Sequence, residues 1–242
     1  MIMADTSSRG SGARTQTSIA IDKLRTDIVT GKLRQNEKLR VQALAKRYGL
    51  AASSLREALS RLVTDALVVA EDQRGFRVSP VSRSGLIDLT EARIGIECLA
   101  LTRSIEYGDV AWESDVLGAY HRLSRCTEAT RPDSPEAQVW STCHAEFHRS
   151  LTAACRSDWL KYFCALMYQQ SDRYRLLATY SRPANTRNPL NEHEAIMKAA
   201  IARDAPLACD LLSRHFRETT RRLLDADAAD SGLAPADESS RR

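Results

Sequence analysis

The sequence predicts a mainly α-helical protein in two parts: a small unit of three helices and a β-hairpin, then a larger all-helical bundle. Three observations carry that expectation. Apolar residues recur at three- and four-residue steps over most of the chain. β-prone runs are confined to residues 67–78, and the breaks between periodic segments are Gly and Pro clusters.

Residues 1–16 are polar and Gly/Ser-rich, so a disordered arm is expected there. From Ser18 onward, Ile21, Leu24 and Ile28 mark a helix that Gly31 stops. A short helix over 41–48 turns Leu44 inward and breaks at Gly49. A third, over about 53–65, places Leu55, Leu59 and Leu62 on one face. Residues 67–70 and 76–78, joined by a polar turn with Gly75, make a hairpin. Three helices with a tight turn before the third, then a hairpin, predict a winged helix-turn-helix over residues 17–80.

After Pro80 the helical period continues over 83–107, 110–128, 136–155, 157–180, 190–203 and 206–227, with no strand candidate between. Breaks fall at Gly108, at 131–135 and at 181–189. Ser134 before Pro135, and Asp204 before Pro206, have the makings of helix N-caps. The period fades over 228–242, which is expected to be a flexible tail. Residues 83–227 are therefore expected to form an all-α domain.

Composition narrows the function. The 242 residues contain no run of 18 apolar residues, which excludes a membrane-spanning helix, and the first residues lack the apolar core of a secretory signal. A cytoplasmic location is expected. The six cysteines have neither the density of a disulfide scaffold nor a CxxC pair and read as reduced, small hydrophobes. The net charge of +4 is uneven: residues 1–80 hold 14 Lys/Arg against 8 Asp/Glu, and the remainder holds 21 against 23. The basic excess lies in the first third and favours a phosphate-rich partner.

The third helix is where such a partner would be read. With its leucines packed inward, Ser53, Arg56, Glu57 and Ser60 face outward. Ser53 and Ser54 suit phosphate oxygens at a helix start, and Arg56 can fork onto guanine O6 and N7 in the major groove. Arg40, Lys46 and Arg47 add phosphate-seeking charge, and Arg74-Gly75 at the hairpin tip can reach an adjacent minor groove. Periodicity alone leaves this level with an ordinary solvated helix face. The exact strings shift the balance. Lys38-Leu39-Arg40, Leu44-Ala45, Gly49-Leu50, the run from Leu55 to Leu62 and Arg74-Gly75-Phe76-Arg77-Val78 resemble the GntR family of bacterial transcription regulators. That resemblance implies double-stranded operator DNA as partner. It also implies contacts from Gln42, Ser53, Ser54, Arg56 and Gly75, with Arg40 and Arg74 on the backbone. Ala51-Ala52 departs from the Ser-Arg common in the family, so a different operator sequence is expected.

Five histidines occur, at 121, 144, 148, 193 and 215. His144 and His148 lie four apart on one predicted helix and can chelate one ion. With His193 and His215, three helices can aim four imidazoles at one interior point, although histidines are more often packed or surface residues and an i,i+4 pair also arises by chance. His121 reads as surface or interface. Here, too, a resemblance adds weight. Glu91-Ala92-Arg93-Ile94-Gly95-Ile96-Glu97, His144-Ala145-Glu146-Phe147-His148, Glu192-His193 and Arg214-His215 resemble the FCD ligand-binding domain of the FadR-type branch of GntR regulators. Many such domains hold a divalent metal through one Asp and three His, and the metal receives an effector carboxylate.

His144 stands where the Asp is found. Four neutral nitrogens favour Zn²⁺, Ni²⁺ or Cu²⁺ over Mn²⁺ or Mg²⁺, so zinc or nickel is the expected cofactor. His144 can also fail to ligate, leaving imidazoles to hold the effector. Arg93 is the candidate second carboxylate clamp, with an ion pair to Glu97 as its competitor. Arg173 and Tyr174 are weaker candidates. Glu113-Ser114-Asp115-Val116-Leu117 and the His-x-x-Phe-His variant resemble the carbon-starvation-induced regulators that respond to glutarate, which implies a short dicarboxylate.

The expected protein is thus a homodimeric transcription factor, repressing until an effector binds, and not an enzyme. The rival readings are a metal-dependent hydrolase and a structural zinc protein. Against the first, Ala145 follows His144 where a zincin helix carries its Glu, and Glu146 faces about 200° away. A purely structural zinc would leave the DNA-reading unit unexplained.

Overall fold

A computed structural model describes residues 14–72, 74–126, 134–178 and 189–230. Most of the expected arm and tail, and the core of the breaks near 131 and 183, lie outside the described residues. The chain forms two compact units, Met1–Ile28 with Asn36–Ser79, and Val29–Gln35 with Pro80–Arg242.

In the first unit, α1 (Gln16–Val29), α2 (Val41–Tyr48) and α3 (Ala52–Thr64) enclose a core of Ala20, Leu24, Ile28, Leu44, Leu55, Ala58, Leu59 and Leu62, all buried. Helix α1 starts inside the stretch expected to be disordered. Asp27 ties it to α2, accepting from Arg47 at 2.8 Å and from the Tyr48 hydroxyl at 2.7 Å. Arg25 reaches Asp65 at the end of α3 at 2.6 Å.

The sheet has one strand more than the hairpin anticipated. Besides β2 (Val68–Glu71) and β3 (Gly75–Val78), Lys38–Leu39 forms β1, and the order is β1-β3-β2, antiparallel throughout. Lys38 pairs with Arg77 and Leu39 with Phe76, while Val68 pairs with Val78. Two residues carry no period that a sequence scan can detect. They are held in place because Leu39 is buried and because the Val78 N–H donates to the Glu37 carbonyl at 2.9 Å.

The second unit contains α4 (Arg83–Tyr107), α5 (Val110–Arg125), α6 (Pro135–Leu151), α7 (Asp158–Ala178), α8 (Pro189–Ile201) and α9 (Ala205–Asp230), with no strand among the described residues. Helix α4 packs between α7 and α9, α5 lies on α6 and α8, and α8 packs on α9. Their shared core includes Leu101, Trp112, Val116, Phe147, Ile196, Leu212 and Phe216. No described helix is long and apolar enough to cross a membrane.

The caps read from the sequence are present. Ser134 accepts from the Ala137 N–H at 3.1 Å with Pro135 in the first turn, and Asp204 accepts from the Leu207 N–H at 3.0 Å. Helix α6 stops at Leu151, four residues short of the expected end, because the Thr152, Ala153 and Cys155 N–H groups bond three residues back and tighten the chain into a turn. Helix α5 likewise ends at Arg125, with Cys126 extended. Gly108 joins α4 to α5 where a Cβ would come within 2.3 Å of the Trp112 ring, so only glycine fits. Two of the six free cysteines are buried and four half-buried.

Candidate functional site

Two surfaces concentrate the chemistry, one in each unit. In the first, α2, the Gly49 turn and α3 form the helix-turn-helix. Leu55, Leu59 and Leu62 lock α3 inward, which leaves Ser53 and Arg56 exposed and Ser54 half-buried. The N-cap of α3 is Ala51, which has no side chain to cap it, so the first N–H groups of the helix remain open to a phosphate. Glu57 accepts from Thr17 at 3.0 Å and from Arg61 at 2.6 Å, whereas the guanidinium groups of Arg56 and Arg40 make no hydrogen bond or ion pair among the described residues. Exposed, unpaired cations beside an open helix start suit a polyanion. Gln42 is exposed on α2, and Arg74 and Gly75 are exposed at the wing. Gly75 has φ of 94°, a left-handed conformation that other residues resist, in open space where a nucleic-acid backbone can approach.

In the second unit the four histidines converge. His144 and His148 come from α6, His193 from the second turn of α8, and His215 from the middle of α9; all are buried. One nitrogen from each lies within 4.8 Å of the others. Ring centroids are 4.6 Å apart for His144–His148 and His193–His215, widening to 6.4 Å for His144–His215. His121 is exposed and takes no part.

The residues around the cluster fix each ring differently. The Glu192 carboxylate sits 2.8 Å from His215 Nδ1, which therefore carries the proton and puts the ring's lone pair on Nε2, as carboxylates do when they orient metal-binding histidines. Both ring nitrogens of His148 are buried and have no hydrogen-bond partner. His144 stacks on Trp140 at 4.7 Å, and its Nδ1 accepts from Arg175 Nη1 at 2.8 Å and lies 2.8 Å from the Tyr168 hydroxyl. Burial, with Arg175 next, holds the His144 pKa well below the usual histidine value, and burial followed by Arg93 does the same for His148. Both are neutral, as metal ligands must be. Lone pairs within a few ångströms, a carboxylate orienter and an unsatisfied ring fit a divalent ion with nitrogen ligands.

Arg93 is buried and makes the expected ion pair with Glu97. Its Nε donates to Glu97 at 2.5 Å, while Nη2 is buried without a partner and the guanidinium lies 3.9 Å above the Phe216 ring. Burial raises the Glu97 pKa, against the pull of Arg93. Arg173 is buried, its pKa brought down to about 10 by loss of solvent. The Tyr174 hydroxyl is not beside the histidines: it receives a backbone hydrogen bond from Ser82 and lies against Gly85, where α4 begins. Glu146 pairs with Arg122 at 3.3 Å on the opposite side of α6, so it is not placed to activate a metal-bound water.

The family comparison decides what these surfaces belong to. The model for bacterial regulatory proteins of the gntR family matches residues 16–78, and the FCD domain model matches residues 88–218. The chain belongs to the GntR family. This GntR regulator is 41% identical over 199 residues to the HTH-type transcriptional regulator BphR of Paraburkholderia xenovorans (strain LB400), spanning 81% of this chain and 80% of that protein. It is 33% identical to the HTH-type transcriptional repressor GlaR of Escherichia coli (strain K12) over 80% of this chain and 89% of that one. Its fold is similar to that of E. coli McbR/YncC, with a TM-score of 0.70 at 17% identity, covering 88% of this chain and 99% of the other. A GntR regulator from Rhodococcus sp. RHA1 gives 0.66 at 20% identity, covering 88% and 99%. With a gntR-family region followed by an FCD domain, this chain is a DNA-binding transcription regulator.

Several residues of the GntR regulator's histidine centre escaped the sequence reading: Trp140, Tyr168, Asp172, Arg175 and Glu192 in its orienting role. A signal existed for three of them. Tyr168, Asp172 and Arg175 follow i, i+4, i+7 spacing on α7 and so share the face that meets His144, whereas Arg173 and Tyr174 point elsewhere.

Proposed function

We propose that this regulator is a homodimeric repressor that releases operator DNA when a small carboxylate, a short dicarboxylate being the best fit, binds at a divalent ion in the cluster of His144, His148, His193 and His215. The observation that carries the reading is the His148 ring, whose two nitrogens are buried and unpaired at the centre of that cluster. A buried polar group left without a partner costs on the order of 1–3 kcal/mol, and metal ligation meets that need. Zinc or nickel suits the donor set and supplies a positive centre that takes a carboxylate oxygen.

The protein's own groups hold and orient the rest. Arg93 presents its unpartnered Nη2 for a second carboxylate while Glu97 and the Phe216 ring keep the guanidinium in place. Dipolar recognition at two separated points favours a dicarboxylate over a monocarboxylate. Repression is supported by the 33% identity to a repressor, and the two-fold arrangement by the palindromic logic of helix-turn-helix readers.

Tyr174 gives the centre a route outward. It follows Arg173 and precedes Arg175 on α7, and its hydroxyl rests on Ser82 at the segment that leads into α4. An effector that draws α7 toward the histidines therefore pulls on that segment and alters the spacing of the two readers in the dimer. It acts only through its difference in affinity between the two spacings. The test is a thermal-shift screen of small carboxylic acids on zinc-loaded protein. A binder at a hundredfold its Kd adds about 2.7 kcal/mol of stability, and failure of every mono- and dicarboxylate to raise the melting temperature removes the carboxylate reading.

A further inference from the structure

We propose that His144 is not a metal ligand but a fixed N–H donor to the effector carboxylate, its Nδ1 lone pair being held by Arg175 and Tyr168; this rests on the metal reading above. The argument is one of donors and acceptors. A guanidinium has N–H groups and no acceptor, so the ring nitrogen it meets at 2.8 Å must present a lone pair. A neutral imidazole has a single N–H, which then sits on Nε2. That nitrogen has no lone pair to give a metal, and the one on Nδ1 is taken.

Moving the proton to Nδ1 would free Nε2 for a metal, but it would set N–H against N–H at the Arg175 contact. The surroundings oppose that change. Asp172 pairs with Arg175 and keeps that donor in place, and Trp140 stacks on the ring and fixes its plane, while the Tyr168 hydroxyl, 2.8 Å from the same Nδ1, can donate to the lone pair that Arg175 meets.

His215 is the internal contrast. Its Nδ1 faces a carboxylate, which can only accept, so the opposite tautomer is fixed, with the proton on Nδ1 and the ring's lone pair on Nε2. The same side chain is thus set as a donor on α6 and as a ligand on α9 by the charge of one neighbour. His148, His193 and His215 then form the ligand set and leave a coordination position for an effector oxygen. His144, protonated on Nε2, then serves as the hydrogen-bond donor to that oxygen.

The test uses full-length, chelator-stripped protein with Zn²⁺ alone as probe, followed by elemental analysis and competition titration. His144→Ala should keep one ion per chain with an affinity within about threefold of wild type, whereas His148→Ala should lose a hundredfold or more. A tenfold or larger loss in His144→Ala overturns the inference while leaving the metal reading intact; a wild type that takes up no zinc overturns both. Should the alanine variant fail to fold, two-bond ¹H–¹⁵N spectra of the stripped wild type decide. They should show His144 protonated on Nε2 and His215 on Nδ1, and a proton on His144 Nδ1 refutes the assignment.

Discussion

Acid should destabilise the metal-free histidine centre in a way that can be calculated. His144 and His148 are buried, and both are held neutral well below the ordinary pKa of 6.5. Below 6.5 the unfolded chain binds protons that the folded chain refuses, so stability is highest above that pH and falls as the pH drops through it. For one such group, the loss between pH 7.5 and 5.5 is about 1.4 kcal/mol, and for the two together about 2.7 kcal/mol. All three tryptophans, Trp112, Trp140 and Trp159, lie in the second unit, so urea unfolding followed by tryptophan fluorescence reports that unit alone. The decisive comparison is with His148→Leu, which removes one of the two groups at similar volume. Its pH-dependent loss should be smaller than wild type's by about 1.4 kcal/mol, with other titrating groups cancelling in the difference. Equal losses in the two proteins, or a wild-type stability flat within about 0.5 kcal/mol over this range, would refute the claim that these rings are buried and neutral.

Two further outcomes follow from the geometry. Arg56→Ala should cost about 1–3 kcal/mol of binding to the cognate operator and relax its sequence preference, measured by fluorescence anisotropy against a scrambled duplex; unchanged discrimination would remove Arg56 from base readout. Glu192→Gln should weaken zinc binding about tenfold, since the amide cannot hold the His215 tautomer as a carboxylate does, and a chelator competition that finds less than twofold would place the orienting role elsewhere.

How far the sequence spoke for itself depended on the length of the signal. The long helices, with many turns of consistent period, were legible within a few residues, and Ser134 and Asp204 announced their caps. Strand β1, two residues long, was not, because its pairing is set by the buried Leu39 and by the partner strand and not by a pattern of its own. The end of α6 was overrun because Cys155, past the point where the helical hydrogen bonds stop at Leu151, is still buried. The four histidines could be picked out by count and spacing alone. Their partners could not: Glu192 meets His215 across 23 residues of chain and Arg175 meets His144 across 31. Tertiary placement decides whether an arginine pairs with a carboxylate or a ring. Arg93 shows both sides of this, since its i,i+4 pair with Glu97 was readable while the buried, unpartnered Nη2 was not.

The most direct measurement of the central claim is an isothermal titration of chelator-stripped wild-type protein with Zn²⁺ alone, alongside His148→Ala. Saturation at one ion per chain in wild type, lost in the variant, is the outcome required if the histidine cluster is the protein's sensing centre. No uptake by wild type, or the same uptake by both proteins, would contradict it.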